Sequence, residues 1–431
     1  MQLRLAARGA HRGGAATHGD RSGPASLGGA VSAGTSRIRV ALIGDYPIRE
    51  DAIHAGGVQS VTHGLAHALA RRSDIECHVV CATRDPETRI RRLADLTVHY
   101  LPRVPLPRLA TCHLHDVPRI RAALRRIEPD IVHGQGQDRH GLAAVRSRRP
   151  TVITPHGVIF LETPLLVSHA LDLAGRLKRA IMDGIEREVF RSARDMIIIS
   201  RYLPRIYGPM LTARAHFIEN PIDPAFFDLR RAPEPGRLLF AGTVVPRKRV
   251  DDLVHALGLV HRAAAQNPDR PRPTLRIVGP LVDPVAVSRV RGRIAEFSLD
   301  EHVALTGPLP QSDLLEEYRR AAALVLASRE ETAPQVIAQA MACGLPVISS
   351  DGGGVPQMVR DGETALLFPV GNTAAAAEQI GMLLQDDGVR GTLAARGRAA
   401  ARERFHPDAV AQQTVAVYRQ VLEELASSRA R

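Results

Sequence analysis

The sequence lacks tryptophan and contains almost no lysine. Of its 57 basic side chains 55 are arginine, and only Lys178 and Lys248 are lysine. Abundant alanine, arginine, glycine and proline is typical of a GC-rich coding sequence, so we interpret most arginines as a record of codon supply. A lysine that persists against this bias therefore stands out.

Cysteines and long apolar stretches are also scarce. The four cysteines, Cys77, Cys81, Cys112 and Cys343, form no CxxC pair and are too few for a disulfide framework in a chain of 431 residues. We interpret them as free structural thiols, and a reducing, cytoplasmic setting is the default expectation. The apolar runs are far shorter than the roughly 20 residues that span a bilayer, so no transmembrane helix is predicted.

Hydrophobic residues make up 45% of the chain, which predicts a globular protein of two ordinary domains or one large one. Residues 1–36 differ, because they are rich in glycine, alanine, serine and arginine and Asp20 is their one acidic residue. We expect a disordered, solvated tail or the product of a misplaced start codon. The segment lacks the apolar core of a secretory signal, although its composition weakly resembles an organellar transit peptide.

The positive charge is concentrated in the first half of the chain. Residues 37–230 carry a net charge of +8, whereas residues 231–431 carry +1. Such a basic face would attract anionic lipid or a phosphorylated acceptor, but codon bias on solvated helices explains it equally well. Nucleic acid is not an expected partner, because no binding motif or interleaved aromatics are present. The arginine runs are Arg119, Arg121, Arg125 and Arg126, followed by Arg146, Arg148 and Arg149.

Strand-like and helix-like segments alternate from Ile38 onward, which predicts parallel sheets with crossover helices. We predict an α/β fold of two Rossmann-like, doubly wound domains that face each other across a cleft, with ligands at the carboxyl ends of the strands. The predicted divisions are the tail 1–36, a first domain 37–230, a second domain 231–405 and a C-terminal helix 406–431. A return of that helix to the first domain is one possibility, which the sequence alone does not decide.

The predicted strands form two series separated by a candidate linker at Pro221–Gly236. The first series is Arg39–Asp45, Glu76–Ala82, Asp130–Gly134, Pro150–Gly157 and Asp195–Ser200. The second series is Arg237–Val244, Thr274–Pro280, His302–Pro308, Ala322–Ser328 and Leu345–Asp351.

Two strand-to-helix junctions in the second series carry candidate chemistry. Arg247, Lys248 and Arg249 lie between a strand and an amphipathic helix, where cations and the helix dipole together would bind phosphate. Further on, Glu331 closes a strand, and Gln339 lies eight residues later inside the helix that begins near Pro334. A carboxylate, free N–H groups and an amide at one junction suit sugar hydroxyls, a pyrophosphate and a ribose diol. The simpler interpretation is that Glu331 is an exposed acid favoured by the helix dipole.

The order of these motifs resembles the retaining glycosyltransferases of family 4, which have the GT-B fold. The motifs are GGV at residues 56–58, TPHG at 154–157, NPID at 220–223, the AGT…PRK loop at 241–248, and the segment from Glu331 to Gly354. The resemblance spans about residues 38–405. It implies transfer of a sugar from a nucleotide diphosphate sugar, without a metal or other cofactor, to a glycan or lipid-linked acceptor in cell-surface polysaccharide synthesis.

The resemblance also implies roles for individual residues. It places Gly57 by the donor diphosphate and the acceptor, His156 and Glu331 beside the donor sugar, and Lys248 at the leaving diphosphate. The backbone of Thr332, Ala333 and Gln335 matches the family's glycine-containing turn. The site set implied is His156, Glu331 and Lys248 as catalytic residues, with Gly57, Arg247, Thr332, Ala333, Gln335 and Gln339 as donor-binding residues.

Two positions depart from the family pattern. Thr243 stands where an arginine usually provides a second phosphate cation, and Gln339 stands in place of the second glutamate, which binds the ribose diol. Arg247 or Arg249 could supply the missing cation, and a glutamine can still accept a hydrogen bond, more weakly than a carboxylate. The departures motivate one alternative, a non-catalytic protein that binds nucleotide sugars. An epimerase or a glycan phosphorylase of the same fold is a further alternative. Peripheral contact with an anionic inner membrane is also expected.

Overall fold

The computed structural model describes residues 37–48, 57–83, 89–102, 114–157, 173–267 and 272–431. Gly56, Cys112 and the predicted tail lie outside the described residues. Within them the chain forms two sheets with helices on both faces, so the predicted architecture of two parallel-sheet α/β domains is confirmed.

The first sheet has eight strands in the order β3-β4-β2-β1-β5-β6-β7-β8. All neighbouring strands are parallel except the edge pair β3 and β4, which is antiparallel. The strands are Ile38–Ile43 (β1), Ile75–Thr83 (β2), Arg89–Leu93 (β3), Leu96–Pro102 (β4), Ile131–Gln135 (β5), Thr151–Thr154 (β6), Asp195–Ile198 (β7) and Arg214–Phe217 (β8). The helices that precede the second sheet in the chain are Gly57–Ala70 (α1), Asp116–Ile127 (α2), Arg139–Val145 (α3), Leu173–Ser192 (α4), Tyr202–Tyr207 (α5) and Pro224–Asp228 (α6). The phenylalanines of α6 pack in the core of the second sheet.

The second sheet has six parallel strands in the order β11-β10-β9-β12-β13-β14. They are Arg237–Ala241 (β9), Thr274–Val278 (β10), Val303–Gly307 (β11), Ala323–Leu326 (β12), Val347–Ser350 (β13) and Leu366–Phe368 (β14). The helices are Val250–Gln266 (α7), Pro284–Phe297 (α8), Gln311–Arg320 (α9), Gln335–Cys343 (α10), Val355–Met358 (α11), Thr373–Gln385 (α12), Asp387–Arg404 (α13) and Pro407–Ala430 (α14).

Burial follows the sequence pattern in the central strands. Strands β5, β12 and β13 are buried along their whole length, because helices cover both faces of the sheet. The edge strands β3 and β8 are largely exposed and polar. The predicted strands did not include these two, since an edge strand needs no continuous apolar run, and they did not include β4 or β14 either.

The C-terminal helix α14 returns to the first sheet. Its apolar face, which includes Val410, Val415 and Tyr418, belongs to the same buried cluster as Val40 and Leu42 of β1. The helix thus packs in the core of the domain in which the chain began, a position that the sequence left open. Among the described residues, no helix is both long and apolar enough to cross a membrane.

Candidate functional site

The candidate site lies where the strand order of each sheet reverses. In the second sheet the reversal falls between β9 and β12, and in the first sheet it falls between β1 and β5. Loops at the carboxyl ends of such strands diverge and leave a crevice, which is the usual ligand site of doubly wound sheets. Lys248 follows β9 and Glu331 follows β12, so both stand at the reversal of the second sheet.

Glu331 is the centre of an ion cluster at this crevice. Its side chain is 7% exposed. Lys248 Nζ donates a hydrogen bond to Oε1, and Arg247 Nη1 donates to Oε2 at 3.1 Å. Burial by itself would raise the pKa of the Glu331 carboxyl, but the charges of Lys248 and then Arg247 outweigh it and hold the pKa below its ordinary value. The carboxylate is therefore ionised at neutral pH and neutralises part of the adjacent positive charge.

The two candidate replacements for the second cation point in different directions. Arg247 also donates to the Glu330 carbonyl, so its guanidinium lies against the loop that carries Glu331. Arg249 has a left-handed backbone with φ of 47° and bonds Asp252 on its own helix. Arg247 is thus the arginine that accompanies Lys248, while Thr243 is half-buried beside Gly242.

Three consecutive glycines fix the loop around Glu331. A methyl group on Gly352, Gly353 or Gly354 would come within 2.6 Å of a backbone oxygen of Ser328, Glu331 or Thr332. The N–H of Gly354 donates to the Glu331 carbonyl at 2.7 Å. The glycine run predicted as part of the motif is therefore needed for close backbone contact. This contact fixes the position of the loop that carries the Glu331 carboxylate.

The turn after Glu331 reaches across to the first domain. Gln335 Nε2 donates to the Gly57 carbonyl at 3.0 Å, and Ala333 packs against apolar residues of both domains. The hydroxyl of Tyr202, which follows β7, donates to Glu330 Oε1 at 2.8 Å. Loops from the two sheets therefore meet at the carboxyl ends of their strands, and the predicted residues Gly57 and Gln335 lie together.

Gln339 lies on α10, behind this turn. Its Oε1 accepts a hydrogen bond from the Tyr318 hydroxyl at 2.9 Å, and Tyr318 is fully buried. Burial raises the pKa of Tyr318 well above its ordinary value, so the phenol stays a donor. One lone pair of the Gln339 oxygen is thereby occupied.

His156 follows β6 at the carboxyl edge of the first sheet. It is half-buried, and its Nε2 lies 2.8 Å from Gln135 Oε1. Burial lowers its pKa to about 4, and this effect outweighs the nearby Asp138 carboxylate. The His156 ring is thus neutral at physiological pH. The carbonyl of the next residue, Gly157, accepts a hydrogen bond from Gln137 Nε2 at 2.8 Å.

Sequence reasoning missed the polar residues of β5 and its end. His133, Gln135 and Gln137 are 1%, 1% and 4% exposed, although each carries a polar side chain. Their signal was present in the segment DIVHGQGQ, where polar side chains alternate with small ones along a strand predicted to be buried. Such alternation places His133 and Gln135 on the same face of the strand, whereas Gln137 lies beyond its end.

Two cavities lie away from this crevice. One, of about 630 Å³, is lined by the end of α6 and by Arg398 and Arg402 of α13. The other, of about 350 Å³, is lined by Arg121, Leu124, Arg125, Ser147, Arg148 and Arg149. The second cavity precedes β5 and β6, so it lies at the amino edge of the first sheet, opposite the site. Among the described residues no cluster of histidine, cysteine and acidic side chains could hold a metal ion.

Two family models match the chain. The model described as Glycosyltransferase Family 4 matches residues 55–226, and the model described as Glycosyl transferases group 1 matches residues 222–404. Together they cover residues 55–404, which include every residue of the candidate site but not β1 or α14.

Curated relatives of the chain are also named as glycosyltransferases. A D-inositol 3-phosphate glycosyltransferase of Jonesia denitrificans is 36% identical over 188 residues, which is 43% of this chain and 43% of that protein. The chain thus spans less than half the length of that relative. A protein of the same name from Acidothermus cellulolyticus is 29% identical over 406 residues, 86% of this chain and 87% of its own.

Solved structures share the fold. Sucrose-phosphate synthase from Thermosynechococcus elongatus superimposes with a TM-score of 0.72 at 24% identity and covers 90% of this chain and all of its own. Anabaena HepE in complex with UDP-glucose gives a TM-score of 0.64 at 18% identity and covers 91% of this chain and all of its own. At these identities the likeness concerns the fold alone.

Proposed function

The chain belongs to the glycosyltransferases of family 4 and group 1, and we propose that it transfers a sugar, with retention of anomeric configuration, from a UDP- or GDP-sugar to a hydroxyl of a glycan or lipid-linked acceptor. The place of this reaction would be cell-surface polysaccharide synthesis at the cytoplasmic side. The observation that carries the proposal is the cluster of Lys248, Arg247 and Glu331 at the strand reversal of the second sheet.

In this proposal Lys248 stabilises the departing diphosphate. Its compact charge lies at the start of α7, and the N-terminus of α10 presents free N–H groups near the same crevice. Charge that develops on a leaving group is stabilised most by donors already in place. His156 and Glu331 would orient the sugar. We expect no metal requirement, because these cations and helix dipoles would supply the positive charge that a metal ion would otherwise provide at the diphosphate.

The direct test is a donor screen followed by product analysis. Thermal shift with UDP-, GDP- and ADP-sugars should show one nucleotide that raises the melting temperature, since a ligand stabilises the state that binds it. With that donor and an acceptor, NMR of the product should show the anomeric configuration of the donor. A product of inverted configuration would refute the retaining reaction, and no stabilisation by any nucleotide sugar would refute the donor class.

We propose that the acceptor is presented at an anionic membrane and that the protein docks to this membrane through a basic surface. The cavity of about 350 Å³ gathers Arg121, Arg125, Arg148 and Arg149, and none of its lining residues carries a carboxylate. Because it lies on the edge of the sheet opposite the crevice, it suits docking to lipid headgroups rather than holding the acceptor at the reacting centre.

Sedimentation with vesicles tests this membrane contact. Vesicles containing about one third phosphatidylglycerol should retain the protein at low salt, and pure phosphatidylcholine vesicles should not. Charge reversal of Arg125 and Arg148 to glutamate should abolish retention, whereas reversal of the exposed Arg289 and Arg291 on α8 should not. Equal retention of both double variants would contradict the assignment of this surface.

A second candidate function is binding of a nucleotide sugar without transfer. Thr243 and Gln339 favour it, since both replace charged side chains of the family pattern. Incubation of donor with and without acceptor separates the possibilities, because a transferase forms product or slowly hydrolyses the donor, an epimerase changes the sugar without an acceptor, and a binding protein does neither.

A further inference from the structure

A chain of buried polar side chains runs from the C-terminal helix to His156. The Tyr418 hydroxyl lies 2.6 Å from His133 Nδ1, and Gln135 Nε2 lies 3.1 Å from His133 Nε2. Gln135 Oε1 lies 2.8 Å from His156 Nε2. Tyr418, His133 and Gln135 are each at most 1% exposed, so water does not replace these contacts.

The amide of Gln135 lies between the two histidine rings of this chain. With its oxygen facing His156, that oxygen can only accept, and His156 then carries its proton on Nε2. The Gln135 nitrogen lies 3.1 Å from His133 Nε2, which also lies 2.7 Å from Thr154 Oγ1, and the Tyr418 hydroxyl faces Nδ1 of the same ring.

Both rings are neutral, as this arrangement requires. Burial lowers the pKa of His133 to about 3, with a smaller contribution from His156, and burial lowers the pKa of His156 to about 4. A neutral imidazole with its proton on Nε2 has a lone pair on Nδ1. His156 therefore offers an acceptor, not a donor, on the side of the ring away from Gln135.

We propose that Gln135 is a positioning residue that holds His156 as the Nε2-protonated tautomer and so presents Nδ1 to accept a hydrogen bond from a hydroxyl of the donor sugar. This inference rests on the proposed function, in which His156 lies beside that sugar. Its consequence is specificity, because a donor with no hydroxyl at the matching carbon would leave Nδ1 without its bond.

Burial argues that the chain serves more than packing. Three polar side chains in an apolar core cost free energy unless each is hydrogen-bonded, and apolar residues of the same size would avoid this cost. Gln135 is the last residue of β5, at the strand reversal of the first sheet, where its amide reaches His156 across to the end of β6.

The first readout is the tautomer of His156, observed in the ligand-free protein by two-bond nitrogen–proton NMR after histidine labelling, with His156→Asn to assign the signal. The wild type should show protonated Nε2. Gln135→Leu should give a mixture of tautomers, and Gln135→Glu should keep protonated Nε2 and raise the pKa of His156. A wild-type His156 protonated on Nδ1, or a tautomer unchanged in Gln135→Leu, would overturn the proposal.

The second readout is sugar transfer by the same variants. Gln135→Leu should lower kcat by about tenfold or more with a KM change below threefold, and Gln135→Glu should recover most of the rate above the raised His156 pKa. Transfer by Gln135→Leu at the wild-type rate, with its tautomer mixed, would overturn the sugar contact while leaving the tautomer assignment in place. Absence of any transfer by the wild type would instead count against the proposed function, since the NMR result does not depend on activity.

Discussion

Lys248 and Glu331 form one unit in the structure. Sequence resemblance assigned the lysine to the diphosphate and the glutamate to the sugar, as separate contacts. In the structure the two side chains form an ion pair that is mostly shielded from water, with Arg247 on the other carboxylate oxygen. An arriving diphosphate would therefore compete with Glu331 for the lysine, so that removal of either partner changes the charge felt by the other.

Lys248→Ala should lower kcat by about 10²- to 10³-fold, the usual cost of losing one preorganised donor to developing charge. It also leaves Glu331 with one cationic partner, so the pKa of the carboxyl should rise. The matched control is Lys178→Ala on α4, which changes the other lysine of the chain and should keep wild-type kcat. Steady-state transfer assays measure both, and equal rates for the two variants would contradict the role given to Lys248.

Gln339→Glu should tighten donor binding by about three- to tenfold. A carboxylate accepts hydroxyl hydrogen bonds more strongly than an amide, and it retains the bond from Tyr318. Titration calorimetry with the nucleotide identified in the screen measures the dissociation constant. Gln412→Glu adds the same charge at an exposed position of α14 and serves as control. Weaker binding by Gln339→Glu would mean that the amide N–H groups, not the oxygen, hold the donor.

At the scale of elements, the loop from Ser328 to Thr332 depends on the glycine run that follows β13. The loop carries the Glu331 carboxylate but has no regular structure of its own. Its position is set by backbone contact with Gly352–Gly354 and by the bond from Arg329 N–H to the Arg247 carbonyl at 2.8 Å. The glycines of the motif thus position the loop, in addition to the donor-binding role proposed for other residues of the motif.

Gly353→Ala should destabilise the protein and abolish donor binding. The added methyl group would lie 2.3 Å from the Glu331 carbonyl oxygen at a residue with φ of 63°. Gly362→Ala is the matched control, because Gly362 has φ of 71° and its methyl group would contact nothing within 4 Å. It should cost only the left-handed backbone penalty of about 1 kcal/mol. Urea unfolding measures the difference, and equal costs would show that the loop yields to the methyl group.

The whole molecule is joined by side chains as well as by the chain itself. Arg404, at the end of α13, bonds Glu219 of the first domain at 2.7 Å, and α14 then packs under the first sheet. Tyr418 of that helix belongs to the polar chain that ends at His156. The last helix is thereby coupled to the site through residues that no local motif connects.

The buried histidines predict a loss of stability in mild acid. In the unfolded chain a histidine binds a proton near pH 6.5, whereas His133 and His156 stay neutral in the fold down to about pH 3 and pH 4. The unfolded state therefore binds more protons below pH 6.5, and the free energy of unfolding should fall as pH drops, by up to about 1.4 kcal/mol per pH unit for each histidine.

Urea unfolding between pH 7.5 and 4.5 measures this slope, in a range where carboxylates with lowered pKa values still keep their charge. His133→Gln should reduce the slope by one proton, even if it lowers stability at pH 7.5. A stability that is flat from pH 7.5 to 4.5 would contradict the assignment of neutral histidines in the fold.

The sequence by itself determined the central parallel strands of both sheets, the order of the motifs and the residues of the ion cluster. Buried parallel strands read as short apolar runs, and turn residues mark their ends, so this information is local. Edge strands such as Arg89–Leu93 and Arg214–Phe217 could not be found this way, because one exposed side lets polar residues occupy them.

Only the tertiary structure decided which side chains meet. It paired Lys248 with Glu331, turned Arg249 away to Asp252, and placed the basic cavity on the edge of the sheet opposite the crevice. It also packed α14 under the first sheet, which brings Tyr418 within hydrogen-bond distance of a histidine 285 positions earlier. Such contacts depend on strand order and helix packing, which join residues distant in sequence and leave no local pattern to read.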